Sequence, residues 1–132
     1  MTSGEVAQRE QQAPEGPFTT RQLLRLDEAL RIADQATGLN FSIYLGELSE
    51  PVRASAEELH RQARDQKHAV LVAVSPNQRV LEIVTGSEAR KRISDRDAKL
   101  AGLSMAASFA GGDLAGGLLI GIDQLATHAG RS

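Results

Sequence analysis

Residues 68–86 read HAVLVAV, then SPNQ, then RVLEIV, then TG. From Ala69 to Val74 the run is apolar on both faces of an extended chain. A strand with one face in water alternates, whereas a strand covered on both sides does not. Ser75-Pro76-Asn77-Gln78 is turn chemistry, because proline presets φ and asparagine bonds its own backbone. RVLEIV, residues 79–84, then supplies a partner strand that closes a hairpin. A strand buried on both faces requires helices above and below it. The stretch therefore predicts an α/β fold: a three-layer α/β/α sandwich with a small mixed sheet of three to four strands.

The flanking sequence supplies the helices. Phe18-Thr19-Thr20 opens one with a threonine N-cap, Leu23, Leu26, Leu30 and Ala33 recur at helical spacing, and Gly38 stops it. Residues 41–45, FSIYL, alternate, with Phe41, Ile43 and Leu45 on one face of a first strand. Pro51 suits a helix's first turn, and Val52, Ala56, Leu59 and Ala63 form one stripe, which predicts a helix over about 51–66. Ser55 and Glu58 offer a capping box as a competing start. Thr85-Gly86-Ser87 ends the third strand and opens a short helix through about Ile93. Ser94-Asp95-Arg96-Asp97 begins a further helix to about Ala110, with Leu100, Leu103 and Ala107 among its expected buried positions. Asp113 caps the last helix, whose apolar face carries Leu114, Leu118, Ile122 and Leu125. Gly117 and Gly121 lie beside that face and predict a close approach to the sheet.

The 132 residues suit one domain, placed at 18–129 between tails at 1–17 and 130–132. Residues 1–17 are polar, with Glu5, Glu10 and Glu15 against Arg9, and read as a disordered tail. Lys plus Arg number 15 against 17 Asp plus Glu, which argues against a nucleic-acid partner. Cysteine is absent, which removes disulfides, thiolate metal sites and a cysteine nucleophile. The only aromatics are Phe18, Phe41, Tyr44 and Phe109, too few for a base-stacking platform. No secretory leader is recognisable, so a cytoplasmic location is expected. Residues 100–122 are apolar and hold two G-x-x-x-G spacings. Asp113 in their middle, which costs about 2.5–3.5 kcal/mol in a bilayer, and the Gly111-Gly112 break point to two water-exposed helices and no membrane span. Peripheral association with a membrane or envelope stays open.

Two groups of residues carry candidate chemistry. Asp95, Asp97 and Asp113 offer carboxylates to a hard cation, Ca2+ or Mg2+, if the loops before the last two helices meet. Were the chain a phosphatase, these three would be its catalytic set, holding a metal that activates water. Aspartates at helix starts also serve simply as caps, and no cofactor is expected on that reading. Thr85, Gly86 and Ser87, with Arg90 or Arg92, offer a strand end, a glycine and a helix N-terminus to an anion. Glu88 opposes that role, and a turn glycine with a serine cap explains the same residues. Arg90, Lys91, Arg92, Arg96 and Lys99 form the densest basic cluster, interleaved with Asp95 and Asp97. His60, His68 and His128 match no zinc spacing. G-x-S-x-G, D-x-D and Walker patterns are missing.

From the second strand onward the chain resembles the TPM domain. The resemblance rests on the strand pair ending in Thr85-Gly86, the short helix to Ser94-Asp95, Phe109-Ala-Gly-Gly112-Asp113, and Gly116 to Leu125. Ala107 stands where a proline is common in that family, and Leu114 where an aromatic often follows Gly-Asp. Residues 19–129 also look like a small actinobacterial family known only as a domain of unknown function. The resemblance implies an α/β/α sandwich. It also implies acid phosphatase, calcium-binding or complex-maintenance scaffold roles. With no catalytic constellation in the residues, a non-enzymatic module for an unidentified protein partner is the favoured expectation. An exposed apolar patch at Leu48 or Val52, or an open strand edge, would serve it.

Overall fold

The computed structural model describes residues 17–131. It runs α1 (Thr20–Thr37), β1 (Asn40–Leu45), α2 (Val52–Arg61), β2 (Ala69–Ser75), β3 (Val80–Thr85), α3 (Asp95–Ala110) and α4 (Leu114–Ala129). Single 3-10 turns at Gln66–His68 and Ala89–Lys91 lead into β2 and away from β3. Residues 1–16 of the expected 1–17 tail and the final Ser132 lie outside the described residues.

The sheet order is β1-β2-β3, with β1 parallel and β3 antiparallel to the central β2. Every residue of β2 is buried. Val70, Val72 and Val74 join Leu26, Met105, Leu118, Ile122 and Leu125 beneath α1, α3 and α4. Leu71 and Ala73 point the other way, against Ala56 and Leu48 under α2. The result is an α/β/α sandwich with three helices on one face and one on the other. Each fully buried aliphatic side chain contributes about 1.5–3 kcal/mol.

α1 starts and stops where its residues dictate. Thr19 Oγ1 accepts from the Gln22 N–H at 3.1 Å, and Gln22 Oε1 accepts from the Thr19 N–H at 2.9 Å. Gly38, at φ 79°, takes the left-handed conformation that closes the helix. One turn earlier, Asp34 Oδ1 accepts from the Phe41 N–H at 2.7 Å, satisfying a donor on the outer edge of β1. Burial pushes the Asp34 carboxyl above its ordinary value, and the Phe41 hydrogen bond pulls back by less. A carboxyl raised by folding favours the fold when protonated. Its contribution is full below the ordinary value of 3.8 and fades as pH rises through the folded one. Asp34→Asn keeps an oxygen for Phe41 and removes that titration. Its urea midpoint at neutral pH is expected to equal or exceed the parent's. The parent's loss of midpoint on going from about pH 3.5 to about pH 6 should shrink in the variant.

Three local expectations are corrected. α2 ends at Arg61 rather than near 66, because Gln62 and Ala63 tighten into i→i+3 bonds and Asp65 turns left-handed at φ 53°. It also starts at Val52, so the Ser55–Glu58 capping box is not used. α3 turns a different face inward: Ala101 and Met105 are buried, while Leu100 and Leu103 are 40% and 60% exposed and Ala107 is exposed as well. Gly117 and Gly121 of α4 make their close approach to α3, not to the sheet. A Cβ at Gly117 would fall 2.7 Å from Phe109 Cε1, and one at Gly121 would overlap the Met105 side chain. Small residues at this crossing let α3 and α4 pack tightly, which frees the leucines of α3 to face outward.

Candidate functional site

Asp95 and Asp97 sit in the first turn of α3, and Asp113 lies just past its other end. A 16-residue helix is about 24 Å long, so α3 holds Asp113 apart from Asp95 and Asp97. Asp97 and Asp113 are engaged by local structure. Ser94 Oγ caps α3 by accepting from the Asp97 N–H at 3.1 Å. The Asp97 carboxylate lies 3.6 Å from His128 Nδ1 at the end of α4. Asp113 Oδ1 accepts from the Gly116 N–H at 2.9 Å as the cap of α4. Among the described residues no group of three or more His, Asp or Glu side chains is placed to hold a metal ion.

The Thr85-Gly86-Ser87 turn is likewise filled by the chain itself. The Gly86 N–H donates to Ala69 O at 2.9 Å and the Glu88 N–H to Lys67 O at 2.9 Å. Two of the donors an anion would need are thereby spent. A Cβ on Gly86 would fall 2.5 Å from Lys67 O and still closer to Gln66 O, so the glycine serves a backbone crossing. The basic cluster divides. Arg92 donates to Thr37 O at 2.8 Å, Ala129 O at 3.1 Å and Gly130 O at 2.8 Å. Gly130, expected in a C-terminal tail, is thus part of the fold. Lys91 pairs with Glu88 at 3.1 Å. Arg90 turns to the sheet edge, where Nη2 donates to Thr85 O at 2.7 Å.

That edge is the most elaborate surface feature. β3 forms the floor of a groove of about 500 Å³ between α2 and α3. The Gly86–Ala69 bond sets the ladder's phase, so the backbone groups of Leu81, Ile83 and Thr85 point out of the sheet. Arg53, from the first turn of α2, reaches over the edge. Its Nη1 donates to Ile83 O at 2.9 Å and Glu82 Oε1 at 3.0 Å, and its Nε to Glu57 Oε2 at 3.1 Å. Burial alone would depress the Arg53 guanidinium, but the bonds to Glu82 and Glu57 outweigh it and hold it above its ordinary value. It therefore stays a cation.

Two of the three outward carbonyls are occupied by guanidinium groups. The N–H groups of Leu81, Ile83 and Thr85 have no partner among the described residues. Arg79 stands at one mouth of the groove and Lys99 lines the α3 wall. The four cations lie with the carboxylates of Glu82 and Asp95 in the lining, and Arg53 is paired with Glu57 as well. The groove is rich in donors and positive charge. Its outer lip carries Leu103, whereas Leu48 and Val52 belong to the core under α2 and form no exposed patch.

Of the anticipated site residues, the groove collects Thr85, Arg90 and Asp95 and leaves out Asp97 and Asp113. The sequence reading missed Arg53, Arg79 and Glu82. Glu82, a lone charge inside the otherwise apolar VLEIV run, was the available signal of an exposed strand edge. No described helix is long and apolar enough to cross a membrane.

Relatives fit this architecture. Two uncharacterized Mycobacterium tuberculosis proteins, MT2543 from strain CDC 1551 and Rv2468c from strain H37Rv, are each 38% identical over 109 residues. The match covers 83% of this chain and 65% of theirs, so the chain spans less than two thirds of these relatives. Among solved structures, the BA42 protein of Bizionia argentinensis superposes with a TM-score of 0.73 at 18% identity, covering 87% of this chain and 83% of that one. The N-terminal domain of a P. gingivalis protein gives a TM-score of 0.75 at 18% identity, covering 86% and 76%. Both likenesses are of fold alone. At the family level, residues 2–126 match the pattern described as "Domain of unknown function (DUF5130)", and the chain belongs to that family.

Proposed function

We propose that the chain is a non-enzymatic protein-interaction module that binds an extended, acidic segment along the open edge of β3. The observation that carries this reading is the groove's imbalance of donors over acceptors. Exposed strand edges pair with extended peptides through main-chain bonds, and flanking side chains set specificity. Here Arg53 and Arg90 already satisfy two carbonyls, so the free main-chain groups are mostly N–H. A ligand supplying carbonyls and carboxylates complements that surface better than a neutral strand does. The resemblance of the second half to the TPM domain, a resemblance of sequence pattern alone, is compatible with the reading, since scaffolds of complex maintenance are among those proteins. A metal-dependent phosphatase would need Asp95 and Asp113 together, and α3 separates them.

The test is an amide NMR titration of the full chain with a blocked peptide alternating glutamate and valine. Shifts are expected at Leu81, Ile83, Thr85 and along Lys99–Leu103, and should shrink as salt screens the charges. Lys99 is an exposed side chain on the α3 wall of the groove, so reversing its charge is expected to leave the fold intact. Lys99→Glu is expected to weaken the peptide by about threefold to tenfold, the range for losing one partly desolvated charge contact. Calcium and inorganic phosphate serve as comparison titrants. No movement at millimolar peptide would overturn the proposal, as would shifts confined to residues 95–97 and 113 with calcium.

A further inference from the structure

We infer that the segment bound along β3 carries a bulky apolar side chain two residues after an acidic one, and that this side chain enters a second cavity beyond Arg79. This rests on the interaction reading above and names the sequence pattern the partner must bear.

The edge is not uniform along its length. Arg53 covers the Ile83 carbonyl and Arg90 the Thr85 carbonyl. Neither outward main-chain group of Leu81 has a partner among the described residues. Leu81 is thus the outward position of β3 where a residue of an added antiparallel strand can exchange both bonds.

Leu81 also stands where the groove opens into a cavity of about 420 Å³. The two spaces share Arg79, Leu81 and Ala106. The cavity is walled mainly by apolar side chains, among them Val80, Phe109, Ala110 and Leu114, and among the described residues Arg79 is its one charged lining group. Its size falls in the range of pockets that enclose small ligands, which is ample for one aromatic ring. Ala106 and Ala110, one turn apart and both exposed, leave that space open on the α3 side.

Register assigns the side chains. Leu81 and Ile83 turn theirs toward α3, 3.8 and 3.7 Å from where a Cβ on Gly102 would sit. A partner residue directly opposite either one presents its side chain on the same face. α3 lines the groove with Asp95, Ala98 and Lys99 and the cavity with Ala106, Phe109 and Ala110, so it runs antiparallel to β3. The residue opposite Leu81 therefore aims over Ala106 into the cavity. The residue opposite Ile83 lies toward Lys99, exposed on the α3 wall. Arg53 is already held by Glu57 and Glu82, so the acid is assigned to Lys99. An antiparallel strand passes Ile83 before it reaches Leu81. The pattern in chain order is therefore acid, any residue, bulky apolar.

The test compares two blocked pentapeptides of one composition, Glu-Val-Glu-Val-Phe and its reversal Phe-Val-Glu-Val-Glu, in amide NMR titrations of the full chain. The first is expected to bind about threefold to tenfold more tightly, as suits an apolar side chain about half buried. It should also shift the Ala106, Phe109, Ala110 and Leu114 amides. Ala110→Leu, at an exposed position lining the cavity but not the groove, should bring the first peptide down to the affinity of the second. The same variant should bind the alternating glutamate–valine peptide as the parent does. Equal binding of the two pentapeptides by the parent, or tighter binding of the reversed one, overturns the inference whatever the variant's stability. If the Leu81, Ile83 and Thr85 amides still respond in that case, the interaction reading stands alone. If neither pentapeptide nor the alternating peptide moves a groove amide at millimolar concentration, both fall.

Discussion

Gly86→Ala is expected to destabilise the fold by about 3–5 kcal/mol, an effect usually reserved for core cavities or buried charges. The new methyl would fall 2.5 Å from Lys67 O and closer still to Gln66 O, and both are backbone atoms. A flexible side chain can swing aside, but a backbone carbonyl moves only with its segment. Relief would pull Gln66–His68 away from the end of β3, breaking the Gly86–Ala69 and Glu88–Lys67 bonds, both 2.9 Å. Each buried backbone group left unpaired costs about 1–3 kcal/mol. Gly112→Ala is the control: its φ is 89° with nothing within 4 Å, so it isolates backbone strain and should cost about 1–2 kcal/mol. Urea unfolding followed by circular dichroism measures both. If Gly86→Ala unfolds within about 1 kcal/mol of the parent, the 66–68 turn does not rest on that glycine. A turn built for an anion would have shown the opposite pattern, with stability intact and phosphate binding lost.

The layers of this fold were legible because β2 leaves no alternative. Seven residues buried on both faces demand two helical layers, and the α1 signals, Thr19 with Gln22 and a final Gly38, mark its ends outright. Sequence misjudged the inner face of α3, where Leu100 and Leu103 seemed the natural core positions. The buried positions are Ala101 and Met105 instead, and Met105 packs so closely on α4 that a Cβ at Gly121 would overlap it. Hydrophobicity patterns rank residues by transfer energy and cannot see how closely two elements must approach. The candidate site was legible only at Thr85, Arg90 and Asp95. Arg53 is roughly 30 residues from the edge it covers, and no local pattern announces a side chain that reaches across a fold.

Arg92, offered beside Arg90 as an aid to the candidate anion site, joins the ends of two helices. α1 and α4 finish side by side, and the last carbonyls of each helix have no partner within it. The negative ends of both helix dipoles therefore point at one place. The guanidinium answers with three bonds, to Thr37 O, Ala129 O and Gly130 O. Its planar fork suits three acceptors from two elements, which a lysine ammonium on a flexible stem matches less well. Arg92→Met, which keeps most of the stem and removes the head, is expected to cost about 3 kcal/mol, from charge-assisted bonds worth about 1.5–3 kcal/mol each and partly replaced by water. Arg92→Lys should recover about half of that loss. Amide exchange gives the distinguishing pattern. Loss of Arg92 should speed exchange in the last turns of both α1 and α4 together, while the first turns stay protected. If only global stability falls and both helix ends exchange as in the parent, Arg92 is not the clasp between them. If stability is unchanged and phosphate binding disappears, the guanidinium faces a ligand after all.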